Sequence, residues 1–184
     1  RHKAYLDGKK MPEQYAVPFE QVLCHEDRLI DPFRWKKPNR VFVNSMSDLF
    51  HPSIPFGFID NVFRTMMRCD WHTFIILTKR PDRMKEYMEG VEFEQRHQNS
   101  TFSNNRWQLS DRWRELTPPL INVWLGVSAE NQQAADERIP LLLQTPAAVR
   151  FVSVEPMLGP VDLMDIQHDG VVQINSLNGD HGVF

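Results

Sequence analysis

The sequence predicts a parallel α/β protein, either a sheet or a barrel, and three observations predict it. Short apolar runs recur at Val41 to Val43, His72 to Leu77, Ile121 to Val127 and Val149 to Val154. Each breaks on its C-terminal side into hydrogen-bonding or charged residues: Asn44, Ser45, Ser47 and Asp48; then Thr78, Lys79 and Arg80; then Ser128, Glu130 and Asn131; and finally Glu155. Three of the runs are followed by a segment with helical character. Runs rich in β-branched and aromatic residues are how strands buried on both faces read, and their alternation with helices puts them in a parallel sheet. Functional groups then collect at the mouth where the strands end.

Taken in order, residues 1–18 are polar and basic with Gly8, Pro12 and Pro18 as breakers, and read as connecting chain. Val22-Leu23-Cys24 is a weak strand ending in His25, which is either a solvated loop residue or a member of the same rim as Asn44. Arg28 to Pro38 interleaves Pro32, Phe33, Trp35 and Pro38 with Arg34, Lys36 and Lys37. Such a stretch either covers the core with its cationic heads in water or stacks against a nucleic-acid strand; the negative overall charge favours covering. After the first strand, Ser53 is a candidate N-cap with Pro55 in the first helical turn. Ile59, Val62, Phe63, Met66 and Met67 then form one helical face. Burial of each contributes roughly 1.5–3 kcal/mol, so packing on a sheet explains the stripe and the two methionines need no ligand. That helix should stop near Cys69-Asp70.

Thr73 to Leu77 is the clearest central strand, and Pro81 opens a helix running to about Met88 and closed by Gly90. Lys79 and Arg80 either hold an anion near that helix start or form a surface pair that helps the turn. Val91 to Pro119 is a long polar insertion with a possible short helix over Arg106 to Leu116. After the third strand, Ser128 and Asn131 serve either as a helix cap or as site residues. Pro140 divides the next helix into Gln132 to Ile139 and Leu141 to Gln144, since an interior proline costs roughly 3 kcal/mol. Glu155, a carboxylate at a strand end ahead of Pro156, is poor as packing and good as a ligand or hydrogen-bonding group. Val171, Val172, Ile174 and Leu177 before Asn178-Gly179 suggest a hairpin turning at Asn-Gly, within an insertion around 165–184. The order implies about five or six barrel strands. The expected fold is a partial (β/α) TIM-like barrel with parallel strands, one domain over 1–184 that is incomplete at both ends.

Composition narrows the function. The 184 residues suit one domain with a sizeable core. No run approaches the roughly 18–20 apolar residues that cross a bilayer, and Arg1-His2-Lys3 leads into no signal-like segment, so no membrane partner and a cytoplasmic location are expected. The net charge of −3 argues against a chain whose main task is neutralising many phosphates, while allowing a local basic groove. Cys24 and Cys69 lie in no metal-spacing motif and read as ordinary semi-buried thiols.

Four ordered motifs then carry a resemblance. Phe42-Val-Asn-Ser-Met-Ser-Asp-Leu-Phe-His51, Leu77-Thr-Lys-Arg-Pro81, Asn122 to Ser128 with Glu130-Asn131, and Arg150-Phe151 through Ser153, Glu155-Pro156 and Leu158-Gly159-Pro160 resemble phage- and prophage-associated proteins of unknown function that are similar to radical S-adenosylmethionine enzymes. The likeness covers roughly Val22 to Leu163. It implies a [4Fe-4S] cluster held by a cysteine trio near the N-terminus, and S-adenosylmethionine on the open iron. This chain has no such trio, so it reads as an internal portion of such a barrel and as catalytically silent in isolation. The resemblance further implies that Asn44, Ser45, Asp48, Thr78, Lys79, Ser128, Glu130, Asn131 and Glu155 line a cofactor-facing mouth. No acid or base role follows from it, and the substrate and oligomeric state stay open.

Two other readings compete. A barrel hydrolase would use Asp48, Glu130 and Glu155 as a carboxylate set. A binding module would bring Arg34 to Lys37 and Lys79-Arg80 onto nucleic acid.

Overall fold

The four apolar runs form one sheet. In the computed structural model, which describes residues 22–89, 119–168 and 172–174, strands β1 (Arg40–Val43), β2 (Thr73–Thr78), β3 (Val123–Ser128) and β4 (Val149–Ser153) lie side by side in sequential order, every neighbour parallel. Helices α2 (Phe56–Arg68), α3 (Pro81–Glu89) and α4 (Gln132–Gln144) connect them, after a 3₁₀ turn (Glu26–Ile30) and a single-turn helix α1 (Asp31–Arg34). The protein is thus mixed α/β with a parallel four-stranded sheet. Among the described residues no helix is long and apolar enough to cross a membrane.

The two faces of the sheet differ. Val43, Ile76 and Leu125 share one register row, and Val41, Phe74 and Val123 another. Phe74, Ile76, Val123, Leu125 and Val127 are fully buried in one cluster with Ile59, Phe63 and Met66 of α2, Met84 of α3 and Ile139 and Leu142 of α4. The predicted helical stripe of α2 therefore packs as expected, apart from Met67, which is only half-buried. On the opposite face, Phe42, Ile75, Trp124 and Val149 form a row of which Phe42 is exposed and the others half-buried. In the next row a Cβ on Gly126 would lie 2.5 Å from the Phe151 ring. The absent side chain is what lets that ring lie flat on β3.

Several elements differ from expectation. Val22 to Cys24 form no strand and Cys24 is exposed, not semi-buried; Glu26 and Asp27 instead sit in the first turn of the 3₁₀ segment, where carboxylates suit the positive helix end. Cys69 is fully buried, and burial pushes its thiol up to about 11. The α2 N-cap is Pro55 in an extended conformation, not Ser53, because Ser53 belongs to the preceding turn, where its N–H donates to His51 Nδ1 at 3.2 Å. Pro140 does not divide α4, which runs unbroken through it. The flanking Ile139 and Leu142 are both buried, and tertiary packing on that scale offsets one lost helical hydrogen bond. Strands β5 (Ile166–His168) and β6 (Val172–Ile174) pair antiparallel with Ile166 opposite Ile174. The Asn178-Gly179 turn, Gly90, the 1–18 connector and nearly all of the 91–119 insertion lie outside the described residues.

The aromatic-basic stretch before β1 is fixed by one buried histidine. His72, 1% exposed, accepts a hydrogen bond from the Asn39 N–H at Nδ1 (3.1 Å), and its Nε2 donates to the Pro32 carbonyl (3.0 Å). Pro32 is buried and Phe33 packs on the core, so the covering reading holds for these two. Exchanging His72 for Leu keeps the apolar bulk but strands both backbone partners. His72→Leu is expected to lower stability by about 2–4 kcal/mol in urea unfolding, whereas a loss below 1 kcal/mol would mean the two hydrogen bonds do not form.

Candidate functional site

Asp48 organises the C-terminal end of the sheet. The chain leaves β1 through Asn44, whose φ of 58° is left-handed, a conformation that asparagine tolerates better than most side chains. The Asn44 carbonyl accepts from the Ser47 N–H at 3.0 Å, and this turn delivers Asp48 to the end of β2. There its Oδ1 accepts from Thr78 Oγ1 (2.8 Å) and the Phe50 N–H (3.0 Å), and its Oδ2 from the Lys79 N–H (3.1 Å) and Arg80 Nη1 (2.7 Å). Thr78 Oγ1 in turn accepts from the Arg80 N–H at 2.9 Å.

A second carboxylate closes the next gap. Glu130 binds Arg138 of α4 through Oε2 at 2.9 Å and Lys79 Nζ through Oε1 at 3.2 Å. Arg138 Nη1 also donates to the Ser128 carbonyl at 2.7 Å, and the Leu158 N–H donates to the Glu130 carbonyl at 2.7 Å. Burial pushes the Glu130 carboxyl up, but hydrogen bonds from Arg138, its own backbone and Lys79, together with the Arg138 charge, outweigh that and hold it at about 2 against an ordinary 4.5. Asp48, Lys79, Glu130 and Arg138 thereby link the exits of β1, β2 and β3 to α4.

The nine residues expected at the mouth all follow or end strands β1 to β4, but they do not share one role. Asn131 is the α4 N-cap, its Oδ1 accepting from the Ala134 N–H at 2.9 Å, so the capping alternative holds for it. Thr78 is 2% exposed and in register with Val127 on the helix-covered face, where it serves Asp48. Ser128, in register with Ser153, ends β3 on the opposite face. Asn44 is half-buried, while Ser45, Lys79 and Glu155 are exposed. His25 begins the 3₁₀ turn as its N-cap residue and makes no strand end. Sequence reasoning missed Arg138, eight residues from the Glu130 it neutralises.

Comparison with known proteins returns one match: the family model described as "Protein of unknown function (DUF5131)" matches residues 2–177. The chain belongs to that family. No curated protein and no solved structure matches it. What this DUF5131 chain can do rests on its own groups.

Those groups constrain the chemistry. Glu130, ionised down to about pH 2, is no general acid near neutrality. Asp48 sits at the exit of β2 and Glu155 follows β4, two strand spacings or roughly 10 Å apart. The basic stretch Arg34 to Lys37 adjoins His72, just before β2, whereas Lys79 and Arg80 follow it, about 20 Å away by strand rise. A single patch joining the two is excluded. A groove of about 290 Å³ runs along β4 between Leu142, Leu143, Arg150, Phe151 and Leu163, away from the rim.

The sign of the Glu130 shift fixes a pH dependence. Its pKa is depressed by folding, so its contribution is complete above the unfolded value near 4.5 and disappears as pH falls toward about 2. Glu130→Gln, which leaves Arg138 without its counter-charge, is expected to cost about 1–3 kcal/mol at pH 7. In urea titrations from pH 6 to 2, the wild-type and variant midpoints should converge. A constant gap would show that the Glu130 ion pairs contribute nothing.

Proposed function

We propose that this chain carries the cofactor-facing rim of a phage-associated radical S-adenosylmethionine-type enzyme, with the four-stranded sheet as one arc of a (β/α) barrel. The observation that carries the reading is the unbroken sequential order of four parallel strands whose C-terminal ends bear Asn44, Asp48, Lys79, Ser128 and Glu130. Consecutive βαβ crossovers of one hand put every helix on one face and leave the other to become a barrel interior. The half-exposed row of Phe42, Ile75 and Trp124 suits that interior, and the groove beside β4 suits the next strand.

The iron-sulfur cluster is a separate matter. Among the described residues no three His, Cys, Asp or Glu side chains stand where they could hold a metal, and the two cysteines of the chain cannot supply three thiolates. These residues do not fit the cluster, which on this reading is held by residues outside this chain.

The mixed charges of the rim suit the amino-acid end of S-adenosylmethionine, which carries a carboxylate and an ammonium group beside its sulfonium. Two carboxylates, Asp48 and Glu130, are paired with Lys79, Arg80 and Arg138, so the site holds both signs of charge. Lys79, half-exposed at its side chain, would pair with the ligand's carboxylate. Ser128 and Asn44 would hydrogen-bond its hydroxyls, and Glu130 would face its ammonium group. When bound, S-adenosylmethionine supplies the radical chemistry of such enzymes. The chain's own part is to bind and orient it.

Calorimetric titration of the chain with S-adenosylmethionine is expected to give saturable binding, weakened about tenfold or more by Lys79→Ala and by Ser128→Val. Binding unaffected by both variants, or no binding, would contradict the reading.

A further inference from the structure

The opposite end of the sheet carries a surface that the rim does not use. Trp35 and Trp71 are 38% and 42% exposed, although both pack against the same buried imidazole, with ring centroids 5.6 and 5.3 Å from His72. Core covering does not require this exposure, because Pro32 and Phe33 beneath them already close that end. Beside the two indoles stand Arg34, Lys36 and Lys37, all exposed, in a chain whose overall charge is −3. Of the carboxylates in and beside this stretch, Asp31 is engaged by Arg28 and Arg34, while Glu26 and Asp27 of the 3₁₀ turn and Asp70 are exposed.

We infer that this end is a binding surface for single-stranded nucleic acid. Trp35 and Trp71 offer π-faces on which unpaired bases stack, and Lys36 and Lys37 neutralise the phosphates between them. Exposed lysines between two indoles, in a chain of negative overall charge, mark a polyanion as the partner, and the exposed indoles mark one with free base faces. A duplex hides those faces, and an acidic peptide or anionic membrane has none. Because His72 is tied by two backbone hydrogen bonds, the indoles that pack on it are ordered before binding, which lowers the entropy cost of forming the complex. The surface lies about 20 Å from the rim, so it stands independently of the proposal made for that site.

Fluorescence anisotropy of a fluorescein-labelled oligothymidine titrated with the full chain tests this. Tight, salt-sensitive binding is expected. Trp35→Ala and Trp71→Ala should each raise Kd about fivefold or more. The double variant Lys36→Ala/Lys37→Ala should reduce the slope of log K against log salt by about 1.4. Lys85→Ala, which removes the same charge from α3, should change neither. If a tryptophan variant loses helical circular dichroism, the surface lysine pair decides the matter, since it bears no structural load. Duplex of the same length, polyglutamate or phosphatidylserine vesicles binding as tightly as oligothymidine would overturn the inference, as would a salt slope unchanged in the lysine variant.

Discussion

The carboxylate of Asp48 is the constraint on which the C-terminal end of this protein depends. Four donors from two segments of chain converge on its two oxygens: a side-chain hydroxyl, two backbone N–H groups and a guanidinium. Charge-assisted bonds of this kind are about twice as strong as neutral ones, and a half-buried carboxylate without them would not remain at the end of a sheet. Asp48 fastens the exit of β1 to the exit of β2, and the start of α3 follows directly. With that junction fixed, Lys79 is presented to Glu130, and the exit of β3 is joined to the other two.

The two ends of the sheet are thus held by different means. At the N-terminal end an uncharged ring, buried and saturated by backbone partners, locks the aromatic-basic stretch. At the C-terminal end ion pairs do the holding, and they leave the half-exposed Lys79 side chain between them. An end held by hydrogen-bonded charge can exchange partners with a charged ligand at modest cost, whereas one held by a desolvated ring cannot. This difference in the physics agrees with a ligand site at the first and a rigid platform at the second.

Strand identity was legible because each buried run is continuous and stops abruptly at polar residues, and the α2 stripe was legible because its spacing is helical. The parallel order followed from strand-helix alternation. What was not legible depended on partners distant in sequence. Thr78 and Ser128 both read as strand-end hydroxyls, yet the register puts them on opposite faces, which no local pattern reveals. Asp48 could be singled out, but its four donors come from a turn and a strand end about thirty residues apart in sequence. Arg138 carries no local signal, since its partners Glu130 and the Ser128 carbonyl lie at the β3 exit. Pro140 was misread because local propensity was allowed to outweigh the burial of its neighbours.

The central claim is that the strand ends of β1 to β3 form one ligand-facing rim. The most direct measurement is a crystal structure of the protein soaked with S-adenosylmethionine. The account predicts density at the C-terminal end of the sheet, with the ligand's carboxylate against Lys79 and a hydroxyl against Ser128. Density in the groove beside β4, or at the Trp35 end, with the rim unchanged, would contradict it.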